Sequence, residues 1–520
     1  MTERPSKGLT SDLARRLDAA IGRAEPDALD LLRRLIQTPS VSGSEGRHDD
    51  PGTVGGLLWT ALGTVGGVER AAEEVTPGRD NVIALIPGAP GPIVVLDAHT
   101  DTVPAGDPSH WIDGDPYSAR EGEVAYLGDD RIRLSVGRTV VERPIRQRLS
   151  RLWEARNVDR APVLYGRGSF DNKGPVAVAY LAIVALANLL ETAQLQLGGT
   201  LAAGFTIDEE QEMQGIRAFA GGSDSWLDRH GLLPPLSEGR FYRDGIVGVA
   251  LDGSYGFVPV VGHRGIAQLL LRTRGQAAHA ATPSLGINAV TAMAAVLHSL
   301  DRDADSVQSR LGALFSDDLL EPISLALGTT IVGGGVQSVT ATPTGVAVDR
   351  SGINVVPDWC EATIDCRFPR PSPGISAISE QIAADLTAIA CQATGLSRDD
   401  LAITVLGEGP PCAIVASAAT AADDSLVAAV LRHGSEVSGF PLWVETAPGG
   451  TDATVMINEG QIRTLVEFGP AGALAHEPHE FVERDQIAVG ATILARTIVD
   501  LLGVEPRSER SAVADSAPSR

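Results

Sequence analysis

An α/β fold, built on a mostly parallel sheet and interrupted by an α+β insert, is predicted by three features of the sequence. Apolar strand-like runs alternate with helix-like stretches in the first half of the chain, the pattern from which parallel sheets are made. Several of those runs end abruptly in acids, where open α/β sheets bind ligands, outside the carboxyl ends of their strands. From about Gly262 to Cys412 the pattern changes to strands that alternate apolar and polar residues, with amphipathic helices between them. At 520 residues the chain is also too long for one ordinary core, so two domains or three are expected.

Taken in order, DALDLLRRLIQTPSVSG reads as a helix that stops at Thr38-Pro39, because the residue before a proline is pushed out of the helical region. NVIALIPG and PIVVLDA read as strands separated by Gly/Pro turns. The segment from about Ala105 to Pro162 is polar, rich in charge and without clear periodicity. GPVAVAYLAIVALANLL reads as a helix apolar on nearly every side, and TLAAGFTIDEE as a buried strand running into acids. Inside the insert, IAQLLLRTRG and EATIDCRFP read as half-exposed strands, INAVTAMAAVLHSL and ISAISEQIAADLTAIACQA as amphipathic helices. The α/β style returns with SLVAAVLRHGSEVSG, IRTLVEFGP and a last helix, RDQIAVGATILARTIVDLLG. These changes set boundaries at 1–261, 262–412 and 413–503, with a disordered tail over 504–520.

The formal charge of −24, with no dense run of Lys or Arg, excludes nucleic acid and anionic membrane surfaces as expected partners. No stretch approaches 18 uninterrupted apolar residues, so no membrane span is expected. The first residues, MTERPSKGLTSDLARRL, lack the apolar core of a secretory signal. Cys360, Cys366, Cys391 and Cys412 include no C-x-x-C pair, which suits reduced thiols and a cytoplasmic location. Lys7 and Lys173 are the only lysines among 42 basic residues, so Lys173 is an exception to the chain's preference for arginine.

The chemistry concentrates at strand ends. In VVLDAHTDTVP an apolar strand gives way to His99 between Asp97 and Asp101. GRGSFDNKGP places Asp171 in a glycine-rich loop, TIDEEQEMQG places Asp208, Glu209 and Glu210 after a strand, and ALDGS places Asp252 likewise. Late in the chain AHEPHEFV supplies His476 and His479. His99, Asp171, Glu210, Asp252 and His476 would converge on one crevice as oxygen and nitrogen donors without sulfur, a set that suits zinc or a similar divalent ion. Two ions sharing one acid would use all five, each with one His and one further carboxylate, leaving open coordination for water and substrate.

These segments, in this order, resemble the co-catalytic zinc amidohydrolase family that includes aminoacylase, glutamate carboxypeptidase, acetylornithine deacetylase, succinyl-diaminopimelate desuccinylase and carnosine-type dipeptidases. The resemblance runs from about Leu31 to Leu502 and also takes in GQAAHAATPSLGINA, NVVPDWCEATIDCR and GGTDA. It implies a zinc-peptidase-like catalytic domain in two pieces around a lid or dimerisation domain, a homodimer, and two divalent ions: zinc, with cobalt or manganese as alternatives. By the resemblance Asp171 bridges the ions, His99 and Asp252 complete one site, and Glu210 and His476 the other. Asp101 would accept the second ring N–H of His99 and fix its tautomer, leaving Asp97 as a solvated strand-end acid. Glu209, pointing opposite to Glu210 along an extended chain, would be the general base that takes a proton from water and returns it to the leaving amine. His279 would reach the partner subunit's site and stabilise the oxyanion. Asn354 and Arg367 would hold the substrate, Arg367 by a bidentate grip on its carboxylate, and Gly450 would let backbone approach it closely.

Three departures accompany the resemblance. The segment at about 118–162 is longer than the family usually has, and the insert is enlarged between about Asp301 and Leu327. His479 stands where the family commonly has Asn, placed to hydrogen-bond locally or cap the next turn. The expected activity is hydrolysis of the amide bond of a dipeptide or small carboxylate-bearing peptide, towards which Asp252 in place of Glu tilts the reading. The alternative is deacylation of an N-acyl-amino acid. A catalytically silent metal-binding relative would lack the base or a ligand, and here Glu209 and all five ligand positions are present. A serine hydrolase would need a G-x-S-x-G elbow, which the chain lacks.

Overall fold

A computed structural model describes residues 9–145, 147–254, 256–334, 338–342, 345–349 and 352–507. The chain divides into two compact units, one within Met1–Val261, Ala413–Glu445 and Thr451–Arg520, the other Gly262–Cys412 with Thr446–Gly450.

The first unit is centred on a six-stranded sheet in the spatial order Glu69–Thr76, Arg79–Ile86, Thr200–Thr206, Ile93–His99, Ile246–Ala250, Arg463–Leu465. Ile93–His99 lies in its interior with every residue buried, as expected of a parallel strand covered on both faces. Ile93 and Val95 pack against the helices Gln214–Ala220, Trp226–Arg229 and Ala453–Asn458. The alternate residues of the strand turn to the opposite face. The strand also contacts the long helices Lys173–Ala193 and Gln486–Leu502, which pack on each other and on Ser11–Gln37.

The expectation of a mostly parallel sheet is corrected to a mixed one. Ile93–His99, Thr200–Thr206, Ile246–Ala250 and Arg463–Leu465 run parallel. Glu69–Thr76 and Arg79–Ile86, however, form a hairpin around Gly78 that joins the sheet antiparallel to Thr200–Thr206. Thr200–Thr206 thus lies between two strands that are neighbours in sequence.

The polar stretch after Ala105 is not irregular. Arg120–Gly128, Arg131–Val136 and Thr139–Pro144 extend an all-antiparallel sheet that continues through Arg160–Tyr165 and Phe481–Glu483 to Gly472–Ala473. Its buried residues, among them Val124, Ile132 and Leu134, form a core of their own with Leu149, Leu152 and Trp153 of the helix Gln147–Arg156.

Two boundaries also move. The first helix ends at Gln37, before Thr38-Pro39, but starts at Ser11, where Thr10 caps it by accepting from Leu13 N. The tail expected from 504 is ordered through Val504–Pro506, which pairs with Leu195–Leu197; residues 508–520 lie outside the described residues. Lys173–Ala193 is long and apolar enough to cross a membrane by length and composition, yet its most apolar window is 78% buried inside the protein, as for a core helix.

The second unit is an antiparallel sheet ordered Ser324–Gly333, Trp359–Phe368, Gly265–Arg274, Leu401–Gly409. Trp359–Phe368 alternates strictly between buried and half-buried residues, and its inward side meets the helices Ala289–Arg302 and Ile378–Thr394. The enlargement after Asp301 forms the helix Ala304–Gly312, whose Val307 and Leu311 join the same core.

Candidate metal centre

Three neighbouring parallel strands deliver their carboxyl ends to one place. His99 ends Ile93–His99 and is in register with Thr206, three residues before Glu209. On the other side Ala250 pairs with Asp97, two residues before Asp252. Asp171 precedes the helix Lys173–Ala193, and His476 lies in the connection from Gly472–Ala473 to Phe481–Glu483.

The five side chains fall into two groups that share one member. His99, Asp171 and Asp252 offer donor atoms all within 4.8 Å of one another, and so do Asp171, Glu210 and His476. Asp171 turns one oxygen to each histidine: Oδ1 is 3.2 Å from His99 Nε2 and Oδ2 is 3.2 Å from His476 Nε2. Asp252 Oδ1 lies 4.0 Å from His99 Nε2, and Glu210 Oε2 lies 3.0 Å from His476 Nε2. Glu209 stands beside them, Oε2 at 3.9 Å from His99 Nε2.

The electrostatics of this cluster call for cations. Burial raises the carboxyls of Glu209, to about 8, and of Glu210, and lifts Asp252 well above the carboxylate range; the charge of Asp171 adds to all three. Burial would raise Asp171 as well, but the imidazoles of His476 and His99 facing its two oxygens hold it far below its ordinary value. Four carboxylates packed against two imidazoles are short of positive charge. His99 Nε2 is also buried without a hydrogen-bond partner, an orphan that a ligated ion would satisfy. The donor set therefore fits divalent metal ions.

Asp101 differs in detail from expectation. The nearer acceptor for His99 Nδ1 is the Asp101 carbonyl oxygen, at 3.1 Å, while its carboxylate is 3.5 Å away. With Nδ1 assigned as the donor, Nε2 keeps its lone pair towards the cluster. The Asp101 carboxylate instead accepts from Ser42 Oγ at 2.6 Å and from the backbone N–H groups of Glu209 and Glu210 at 3.0 and 3.2 Å. Behind this turn Arg79 joins Glu45 (2.6 Å) to Asp208 (2.8 Å), and Asp208 itself takes a positive φ.

Asp97 is a correction: it is buried, not solvated. Thr206 Oγ1 donates to its Oδ1 at 2.8 Å, and it shares a hydrogen bond with Asp452 of the GGTDA segment. Burial raises Asp97 to about 6 and, with the charge of Asp97, carries Asp452 well above the carboxylate range. The pair accordingly holds one proton between its two carboxyls. The available signal was the parallel alternation itself, which puts Asp97 on the same side of its strand as His99.

Lys173 now has a physical account. Its ammonium is buried and donates to the Thr38 carbonyl at 2.8 Å, just past the end of the first helix, and burial lowers it to about 7. A compact point donor suits that space better than a planar guanidinium. His479 is also buried, with Nδ1 3.5 Å from the Tyr165 hydroxyl, and burial lowers it to about 4.

The remaining expected residues belong to the second unit. His279 is exposed and its Nδ1 accepts from Ala281 N at 3.0 Å, which leaves Nε2–H as a donor. Exposed Asn354 runs alongside, its carbonyl accepting from Ala280 N at 2.8 Å. Arg367 is engaged within its own strand, gripping Asp365 at 2.7 and 3.2 Å. Gly450 is exposed.

A sequence profile of the family described as Peptidase family M20/M25/M40 matches residues 144–500. Among curated relatives, a probable carboxypeptidase of Uncinocarpus reesii is 26% identical over 70% of this chain and 68% of its own length. A succinyl-diaminopimelate desuccinylase of Rhizorhabdus wittichii is 25% identical over 88% of this chain and 93% of its own. Among solved structures, the dipeptidase Dug1p of Saccharomyces cerevisiae is similar with a TM-score of 0.57 at 12% identity, covering 95% of this chain and 99% of that one. Human carnosine dipeptidase 1 follows with a TM-score of 0.55 at 16% identity, covering 96% and 100%. These last two likenesses are of fold.

Proposed function

Because the chain belongs to peptidase family M20/M25/M40 and is therefore a hydrolase, we propose that it cleaves the amide bond of a dipeptide or small carboxylate-bearing peptide at a two-metal centre. The observation that carries this reading is the pair of donor groups sharing Asp171, with Glu209 at their side. His99, Asp171 and Asp252 would hold one divalent ion, and Asp171, Glu210 and His476 the other; zinc fits the donors, with cobalt or manganese as substitutes. Bound there, such ions would supply Lewis-acid polarisation of the scissile carbonyl and ease ionisation of the attacking water.

The protein's own groups account for the proton. Glu209 is half-buried, and desolvation raises its carboxyl to about 8. The positive charge of ions held by the two donor groups would bring it down to where it can take a proton near neutral pH and later return it. It takes the proton of the attacking water as the new C–O bond forms, and gives it to the departing amine as the C–N bond breaks. Asp101, by accepting from the backbone of both Glu209 and Glu210, keeps base and ligand in fixed register. Arg367 offers its fork to the substrate carboxylate, which would share it with Asp365. Asn354 would hold the substrate beside it, and Gly450 would admit its backbone closely. His279, with Nε2–H free to donate, would stabilise the oxyanion across a homodimer. Four unpaired cysteines support a reducing, cytoplasmic setting. Similarity to a desuccinylase over 93% of that protein's length favours N-acyl-amino acids as the second substrate class.

Zinc-loaded protein assayed on a panel of dipeptides and N-acyl-amino acids tests the reading, with Glu209→Gln as its partner. Wild type should hydrolyse dipeptides fastest, and Glu209→Gln should keep its metal while losing about 10²–10⁴-fold in kcat. Full activity in Glu209→Gln would remove it as the base, and a preference for acyl substrates would select the second class.

A further inference from the structure

Glu480 belongs to neither donor group, yet it is fully buried and spends its whole carboxylate on the loop that carries Asp171. Oε2 accepts from Arg167 Nη1 at 2.6 Å and from Gly168 N at 3.1 Å. Oε1 accepts from Phe170 N and Asp171 N, both at 2.9 Å. Three of these four donors are backbone N–H groups within 168–171, so one side chain sets the path of that loop up to Asp171 itself. The loop is tight: Gly168 has φ +80°, and a Cβ there would lie 2.8 Å from Thr102 and 3.0 Å from Lys173. Beyond Asp171, Asn172 Nδ2 donates to the Leu251 carbonyl at 2.8 Å, beside Asp252. Glu480 also lies four residues after His476, so the segment that carries one histidine fixes the acid facing both.

We propose that Glu480, paired with Arg167, is a positioning residue that aims the Asp171 carboxylate between the two cation sites, so that losing it weakens both sites together. This rests on the metal-centre reading above. A residue supporting a ligand of one site alone, such as Asp252 or Glu210, would weaken that site only. The shared acid converts one local defect into two.

The test is a titration of metal-stripped, full-length protein with zinc by calorimetry and with cobalt(II) by visible absorption, comparing wild type with Glu480→Gln. Glutamine keeps the size and one carbonyl oxygen but turns an NH2 group towards the donors of Gly168 and Arg167. Both equivalents should bind about 10- to 100-fold more weakly, with a changed cobalt spectrum, while the melting temperature in chelator shows the metal-free fold intact. Arg167→Gln, which leaves the three backbone donors in place, should weaken both equivalents in the same direction by less. Unchanged affinity in Glu480→Gln, or a loss confined to one equivalent, overturns the proposal. Wild type that takes up neither zinc nor cobalt would defeat the metal-centre reading itself, a result visible before any variant is compared.

Discussion

Asp97 and Asp452 share a proton beside Thr206 because two carboxylates in so dry a place cannot both ionise. The same physics sorts the histidines of the chain. His99 and His476 face acids and are raised, His476 to about 10 by its hydrogen bonds to Asp171 and Glu210. His263 and His479 are buried, and burial lowers each to about 4. Their folded values lie below the unfolded value of about 6.5, so the unfolded chain binds more protons between the two. Their contribution is therefore complete above about pH 6.5 and is lost as pH falls through about 4. The melting temperature of the metal-free protein should fall over that window, and His263→Gln with His479→Gln should flatten the fall; an unchanged slope would remove these two as its source. At this scale the sequence was informative wherever a residue type is rare for its place. His99 at the end of an apolar strand was such a signal, and Lys173 among arginines was another. Asp97 was misread because an acid at a strand end looks the same whether it surfaces or meets a second acid from Asp452, 355 positions away.

Elements were legible in proportion to their apolar content. Ile93–His99, Thr200–Thr206 and Lys173–Ala193 are nearly continuous apolar runs, and a buried strand or core helix can hardly be otherwise. The strand Glu69–Thr76 was hidden because it sits at the sheet edge with none of its eight residues buried. Such edges carry charge, which suppresses the signal. The sheet after Ala105 was hidden differently. Ile132, Leu134 and Val136 alternate with exposed or half-exposed neighbours, and Asp129-Asp130 turn with positive φ between its strands. The period of two was present, masked by arginine and glutamate on the outer face. Trp153 ties that sheet's helix to the strand that follows Glu480: it is fully buried and donates Nε1–H to Glu483 at 2.6 Å, which Arg156 also meets at 2.6 Å. Trp153→Ala should cost about 3–5 kcal/mol, read by denaturant unfolding. A loss below about 1 kcal/mol would show that this sheet does not support the rest of its unit.

For the whole molecule, the order of motifs carried more than any one of them. Two histidines and three acids spread from His99 to His476 approach one another only because three parallel strands end side by side and two loops close over them. Which substrate follows from that arrangement is not written in it, since one fold serves peptidases and deacylases alike. What the arrangement does dictate is charge: a centre with more carboxylates than imidazoles, inside a chain of net charge −24, relieves its repulsion by taking up protons or cations. The most direct measurement is the metal content, by mass spectrometry after zinc loading and removal of excess ion, of wild type and Asp171→Asn. Two equivalents in wild type, with both lost or greatly weakened in Asp171→Asn, is the predicted result; a wild type that retains one ion or none, or an Asp171→Asn that keeps both, would contradict it.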